Sequence, residues 1–356
     1  MSAYCSSFTN INGVTCYMNS ILSILQQTPL FSDWILSLDY KKNILEKFDD
    51  DNIEDSILYQ FYILFNTSLQ NEYSSITPRS FRYCISNINS MWAENEQQDS
   101  QELLNFILNQ IDEEISKEVL VIYGSNIISD KLPVQNNLLN LISQNQWTKM
   151  IKKEFSPIKM LFTGMYYNTI ECTECCNVSN RYELFQNIQL SIPNLDKEMN
   201  IYTLLDDYTS EEQLDKNNMI TCDFCGKKNK SKKKIYFEKL PNILILQIKR
   251  FKFNRYGIPS VKLTNHIDYP IYDLDLSKYI HKSNKNKTNK YNLFAVNLHH
   301  NLGMGINFGH YTSIVKNRVD KKWCHYNDEN PVTEIKDISK IINKEAYLLF
   351  YYKVNN

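Results

Sequence analysis

A cysteine stands where a Gly-containing turn runs into an apolar-periodic stretch: Gly13-Val14-Thr15-Cys16-Tyr17-Met18-Asn19-Ser20, followed by Ile21, Leu22, Ile24 and Leu25 at helical spacing, with Pro29 as the stop. That position has a chemical use. A helix N-terminus offers unpaired N–H groups and partial positive charge, which favour a thiolate and pull a thiol below its free pKa of about 8.5. The same N–H groups can hold the oxyanion that develops on a carbonyl under attack. Such a thiol needs a partner that accepts its proton and later returns it to a leaving amine, and histidine suits both tasks near neutral pH. Of the six histidines, His310 is placed for this, because Asn307-Phe308-Gly309-His310-Tyr311 closes a stretch bearing Gly303 and Gly305 and opens a strand. The strand Lys322 to Asp328 follows, and its end supplies Asn327 or Asp328 to orient an imidazole, a Cys-His-Asn or Cys-His-Asp set. Taken singly, Cys16 reads as well as a small buried hydrophobe and His310 as a structural histidine; it is their co-occurrence that selects the catalytic reading.

Four further cysteines could hold a metal. Cys172-Thr173-Glu174-Cys175 and Cys222-Asp223-Phe224-Cys225 are CxxC pairs far apart in the chain, the spacing at which two turns each place two thiolates on one tetrahedral zinc ion. Gly226 is the small residue expected where the backbone turns under the metal. Four thiolates close the shell, so one Zn2+ there would be structural, with no open position for water. Free thiols or a redox pair are the alternatives, and Cys176 breaks the spacing and reads as a bystander. The lysine-rich run Lys227 to Lys234 reads as a solvated hairpin tip, with contact to an acidic partner as the other reading and a nucleic-acid patch as a third.

The elements that must position these groups differ between the two halves of the chain. To about residue 155 the pattern is helical: Asp99 and Glu102 form a capping box ahead of the stripe Leu103, Leu104, Ile107, Leu108 and Ile111, while Trp34, the run Ile57 to Phe65, and Thr77-Pro78 leading to Phe81 mark further helices. The stretch 114 to 150 is Asn- and Gln-rich and gives no clear period. From about residue 156, runs rich in β-branched and aromatic residues predict strands over Tyr182 to Ile192, Ile243 to Phe251, Tyr291 to Leu298, Tyr311 to Val315 and Ala346 to Tyr352. The tract 281 to 290 is polar and basic and reads as a solvated loop.

In this order the motifs resemble those of the ubiquitin-specific proteases along nearly the whole chain. Gly13 to Ser20 is similar to that family's cysteine box and Gln97-Gln98-Asp99-Ser100-Gln101-Glu102-Leu103 to the acidic helix motif that follows it. Cys172 to Cys175, Leu190-Ser191-Ile192-Pro193, Cys222 to Cys225 and Leu240 to Phe251 continue the series. Tyr291 to Val296, Gly309-His310-Tyr311, Trp323 to Asp328 and Ala346 to Tyr351 complete it. The resemblance implies an α+β, papain-like right hand: a helical thumb (about 1–155), zinc-ribbon fingers (156–240) and a β-sheet palm (241–356), all one catalytic domain. It implies hydrolysis of the isopeptide bond after the C-terminal Gly of ubiquitin, with Cys16 as nucleophile, His310 as base and Asn327 as third member, Asp328 beside it as a substitute. Asp99 and Glu102 match positions that meet the basic tail of ubiquitin, where carboxylates would steer and register an Arg-containing segment. The family's oxyanion-donating Asn lies five positions before the nucleophile; here that place holds Ile11, flanked by Asn10 and Asn12 as the two candidate donors. Gln247 stands where His is common on the palm strand.

Bulk composition sets the competing readings. The chain has 356 residues, 43% hydrophobic and 22% charged, and Lys+Arg 39 against Asp+Glu 40 leaves a net charge of -1. No global field draws it to nucleic acid or anionic lipid, so partner choice is local. The start lacks a secretory signal, no apolar run is long enough to span a bilayer, and nine cysteines in a chain this long are not a disulfide framework. The expectation is a monomer of the cytoplasm or nucleus whose partners are ubiquitin and ubiquitinated proteins, with no membrane or nucleic acid. A protease for another ubiquitin-like modifier, and a weakly active ubiquitin-binding scaffold suggested by Ile11, are the alternatives; a zinc-ribbon nucleic-acid protein is disfavoured by the balanced charge.

Overall fold

A computed structural model describes residues 6–38, 48, 52–69, 75–120, 134–193, 198–215, 218–253, 259–281, 289–301 and 309–354. The chain start, Gly303, Gly305, Asn307, Phe308 and most of the tract 281 to 290 lie outside the described residues.

Helices form where the apolar period predicts them: α1 (Cys16–Gln27), α2 (Phe31–Ser37), α3 (Ile57–Leu69), α4 (Arg79–Ile88) and α5 (Ser100–Ile115). Then come α6 (Val134–Ile151) in the Asn- and Gln-rich stretch, α7 (Pro157–Phe162) and, later, α8 (Ile201–Tyr208). The helical part therefore runs beyond residue 155, because Ser156 caps α7 through Lys159 N–H and Pro157 sits in its first turn. Every residue of α1 is buried. A helix enclosed on all sides has little water for its polar side chains, and in α1 most of them find protein partners, Gln26 being the exception among the described residues. Accordingly the Ser20 and Ser23 hydroxyls donate to the carbonyls of Tyr17 and Asn19 at 2.9 Å, and Gln27 Oε1 accepts from the Arg318 N–H at 3.0 Å. The helix ends at Thr28, held extended ahead of Pro29. In α5 the stripe from Leu103 to Ile111 is buried as predicted.

Strands are numbered along the chain: β1 (Gly164–Cys172), β2 (Val178–Phe185), β3 (Ile188–Ser191), β4 (Glu212–Leu214), β5 (Ser231–Lys239), β6 (Ile243–Lys249), β7 (Lys290–Asn301), β8 (Gly309–Lys316), β9 (Trp323–Tyr326), β10 (Thr333–Glu334) and β11 (Ala346–Lys353). Four make a narrow sheet in the order β2-β1-β5-β4. The larger sheet runs β10-β9-β8-β7-β11-β6-β3, antiparallel except for the last pair. In β11 the pleat sends Phe350 and Tyr352 to the helical side and Leu349 and Tyr351 to the other, so the sheet separates two hydrophobic clusters. The lysine run is not a hairpin tip: it enters β5, where Lys232 and Lys233 lie 3.5 and 3.9 Å from Glu211 and Glu212.

Polar ties fix the helices on the large sheet. Ser100 Oγ donates to Asn297 Oδ1 at 3.0 Å, and Asn297 Nδ2 donates to Ser20 Oγ at 2.9 Å. Beside them Gln247 Nε2 donates to the Tyr347 hydroxyl at 2.8 Å, which donates to Asp99 Oδ2 at 2.6 Å. The N-terminal ends of α1 and α5 are thus pinned over β7, β6 and β11. Among the described residues no helix is long and apolar enough to cross a membrane.

Candidate active site

Cys16 begins α1, is 0% exposed, and lies under the start of β8. Its thiol is pushed up to about 11 by burial. The backbone of Tyr311 and the N–H groups of Tyr17 and Cys16 act the other way, as a helix start should, while the Asp328 carboxylate reinforces the rise. The expectation of a thiol held below its free value is therefore corrected: removal from water outweighs the helix terminus.

His310 Nε2 lies 2.6 Å from Asn327 Oδ1 and 3.9 Å from Asp328 Oδ2. An amide oxygen only accepts, so the Nε2–H tautomer is fixed and Nδ1 is left as the basic nitrogen. Asn327 reaches His310 because β8 and β9 pair antiparallel and the chain leaves β9 just after Tyr326. Asp328 then turns at φ +47°, a left-handed conformation that Asp tolerates, and its carboxylate accepts from Asn10 Nδ2 and Asn19 Nδ2, both at 2.8 Å. It is a brace between the segment before α1, α1 itself and the end of β9. Asn10 Oδ1 also accepts from Thr15 N–H at 2.8 Å, holding the turn that delivers Cys16. The two candidate oxyanion donors thus differ: Asn10 is inside the site, bonded to Asp328, whereas Asn12 is exposed and donates to Asn95 Oδ1 at 3.0 Å.

Asp99 and Glu102 differ as well. Asp99 accepts from Gln101 N–H at 2.7 Å as the N-cap of α5 and from Tyr347, so both oxygens are engaged, and burial raises its carboxyl above the usual range. Glu102 is exposed in the first turn.

Sequence reasoning missed four residues around His310. Gln97 Oε1 accepts from the Gly309 N–H at 3.2 Å, linking the segment before α5 to the start of β8. Asn19, within the cysteine box, holds Asp328 from α1. His300, opposite His310 in the β7–β8 register, stacks on it with centroids 6.1 Å apart; its own ring is held by Glu345 and, at 2.7 Å, by Thr312 Oγ1. Only the adjacent pair His299-His300 signalled it. Gly309 is glycine for space: a Cβ there would meet His299 Nε2 at 2.1 Å.

The four CxxC cysteines come together away from this site, their sulfurs within 4.8 Å of one another. Cys175 and Cys222 Sγ are 3.7 Å apart, and metal–sulfur bonds of about 2.3 Å in a tetrahedron give an edge of about 3.8 Å. The two turns repeat one design: Cys176 N–H and Gly226 N–H bond the carbonyls of Cys172 and Cys222 at 2.9 and 2.8 Å, and both residues have positive φ. Cys176 therefore stands where the second turn has glycine, exposed and outside the cluster. The donor set can hold a metal ion.

A helical lobe, a four-stranded ribbon ending in paired cysteine turns, and a broad sheet that carries His310 and meets Cys16 at the Tyr311 backbone define the papain-like α+β right hand, with thumb, fingers and palm in that order. The chain belongs to the ubiquitin carboxyl-terminal hydrolase family, whose model matches residues 8–351. It is 27% identical to ubiquitin carboxyl-terminal hydrolase Usp2 of Drosophila melanogaster, over 95% of this chain and 34% of that protein. It is 29% identical to human ubiquitin carboxyl-terminal hydrolase 2, over 95% and 54%. The chain thus spans about a third to a half of those relatives. Among solved structures it superposes on a chain of the SAGA Ubp8/Sgf11/Sus1/Sgf73 DUB module bound to ubiquitin aldehyde, with TM-score 0.75, 26% identity and coverage of 99% of this chain and 70% of that one.

Proposed function

We propose that the chain is a deubiquitinating thiol hydrolase that cleaves the isopeptide, peptide or thioester bond at the C-terminal Gly of ubiquitin. The observation that carries this reading is Cys16 at the start of α1 beneath a strand whose His310 is oriented by Asn327, in a member of this family. His310 Nδ1 takes the Cys16 proton; the thiolate adds to the carbonyl carbon, and the oxygen becomes an oxyanion facing the Cys16 N–H. The C–N bond breaks, and the imidazolium gives its proton to the leaving amine. Water then adds to the thioester with His310 as base, and the carboxylate and the thiol are released.

Asn327 orients the ring and Asp328 acts behind it. Asn10 is the oxyanion donor supported by its place in the site, and its Nδ2 would have to leave Asp328 to serve; Asn12 is the less supported donor. Glu102 takes the larger share in meeting the basic tail of ubiquitin, since Asp99 is committed to Tyr347 and to α5. One Zn2+ on Cys172, Cys175, Cys222 and Cys225 cross-links the fingers when bound, a closed site without catalytic water. The division into thumb to about 155, fingers to 240 and palm to 356, action as a monomer on ubiquitin and ubiquitinated proteins without membrane or nucleic acid, and residence in cytoplasm or nucleus belong to the same reading.

Turnover of C-terminal amides of ubiquitin and of other ubiquitin-like modifiers tests it. Hydrolysis of the ubiquitin amide that Cys16→Ala abolishes is expected. Hydrolysis of a different modifier alone overturns the substrate, and ubiquitin binding without turnover overturns the enzyme.

A further inference from the structure

The short strand Ile220–Thr221 pairs with Lys228–Asn229, and Ile220 opposite Asn229 sets the register of the second cysteine turn. Asn229 is 8% exposed, on the inner side of that hairpin. Its Nδ2 lies 3.3 Å from Cys172 Sγ and 3.8 Å from Cys225 Sγ, sulfurs that belong to different turns. An amide nitrogen carries two N–H groups, one for each sulfur. Four thiolates around a divalent ion leave a net charge of about -2, and N–H donors aimed at sulfur spread it. Backbone N–H groups supply such donors, Cys175 N–H at 3.5 Å and Glu174 N–H to Cys172 Sγ and Asn177 N–H to Cys175 Sγ; Asn229 supplies the side-chain donors.

We infer that Asn229 is a positioning residue of the metal site, its carboxamide donating to the Cys172 and Cys225 thiolates and so tying the two turns together around the ion. This rests on the zinc reading above. The carboxamide also suits the metal-free state, because Oδ1 lies 3.5 Å from Cys172 Sγ and can accept from a protonated thiol.

The test uses the full chain with Asn229→Ala, Asn229→Asp and, as a control on the same hairpin, the exposed Thr221→Ala. Zinc affinity is read by chelator competition, and the thiolate-to-metal charge-transfer band by substitution with cobalt. Asn229→Ala is expected to bind zinc about 10- to 100-fold more weakly, the effect usual for losing a group that bonds a metal ligand. Asn229→Asp weakens it further, since a carboxylate repels thiolates. The cobalt band moves to lower energy in both, because sulfur lone pairs rise when an N–H donor is lost, while Thr221→Ala leaves both readouts unchanged. If a variant unfolds without metal, its zinc release rate from the loaded state replaces the affinity. Wild-type zinc loading with an Asn229→Ala affinity within about twofold and an unmoved band overturns the inference. A wild-type chain that takes up no zinc overturns both it and the zinc reading.

Discussion

Asn327 and Asp328 both approach His310, yet their surroundings give them different work. Asn327 Oδ1 fixes the ring through Nε2, so Asn327→Ala frees the imidazole to turn and is expected to lower kcat/KM on a ubiquitin amide about 100-fold. Asp328→Ala is expected to cost less turnover but more stability, about 1–3 kcal/mol, because the Asn10 and Asn19 amides lose their shared acceptor. Steady-state kinetics and melting curves of the two variants check this; the reverse ranking in turnover transfers the orienting role to Asp328. Cys16 makes a pH prediction. With its thiol near 11 in the free chain, the neutral form prevails at pH 7, and alkylation by a small uncharged reagent should speed up continuously as pH rises above 8. A rate that levels off below pH 8 would mean a thiolate already formed. Cys16, His310 and Asn327 could be singled out in the chain because each stands at an element boundary, and the structure places those boundaries there. The height of the Cys16 thiol could not be read this way, because burial is set by how α1 packs beneath β8.

At the scale of elements, the apolar period located α1 and α5 and the β-branched runs located β6, β7, β8 and β11, since local pattern and tertiary burial agree there; the run Tyr182 to Ile192, expected as one strand, divides into the end of β2 and β3, which belong to different sheets. Local pattern failed for α6, whose Asn and Gln residues give no stripe, and for the lysine run, whose fate depended on Glu211 and Glu212 across a strand pair. The cysteine turns were legible from spacing alone because a tetrahedral site dictates it. Cys222→Ser is expected to lower the melting temperature and to release zinc, as a closed thiolate site contributes folding energy. Unchanged melting, with no zinc in the parent protein, would remove the structural role of the metal.

Across the whole molecule Cys16 and His310 lie on different lobes, and under the proposed mechanism their alignment depends on the contact between those lobes. That contact is an apolar core, in which the helices pack on Ile245, Ala295, Val315 and Phe350, crossed by two polar ties: Ser20, Asn297 and Ser100 form one chain of hydrogen bonds, Gln247, Tyr347 and Asp99 another. Gln247 thereby has a place, donating to a buried hydroxyl, that the sequence left unexplained. Tyr347→Phe leaves the Asp99 carboxylate and the Gln247 amide without their common partner and is expected to cost about 1–3 kcal/mol in denaturant unfolding, with a fall in kcat larger than any change in KM. No loss of stability would mean that packing alone holds the lobes. The central claim, that Cys16 is the nucleophile of a ubiquitin-directed enzyme, is tested most directly by a ubiquitin probe carrying a thiol-trapping C-terminus. Peptide mapping of the folded, zinc-loaded protein should find the adduct on Cys16 and none in Cys16→Ala; no adduct, or one on another cysteine, would contradict the account.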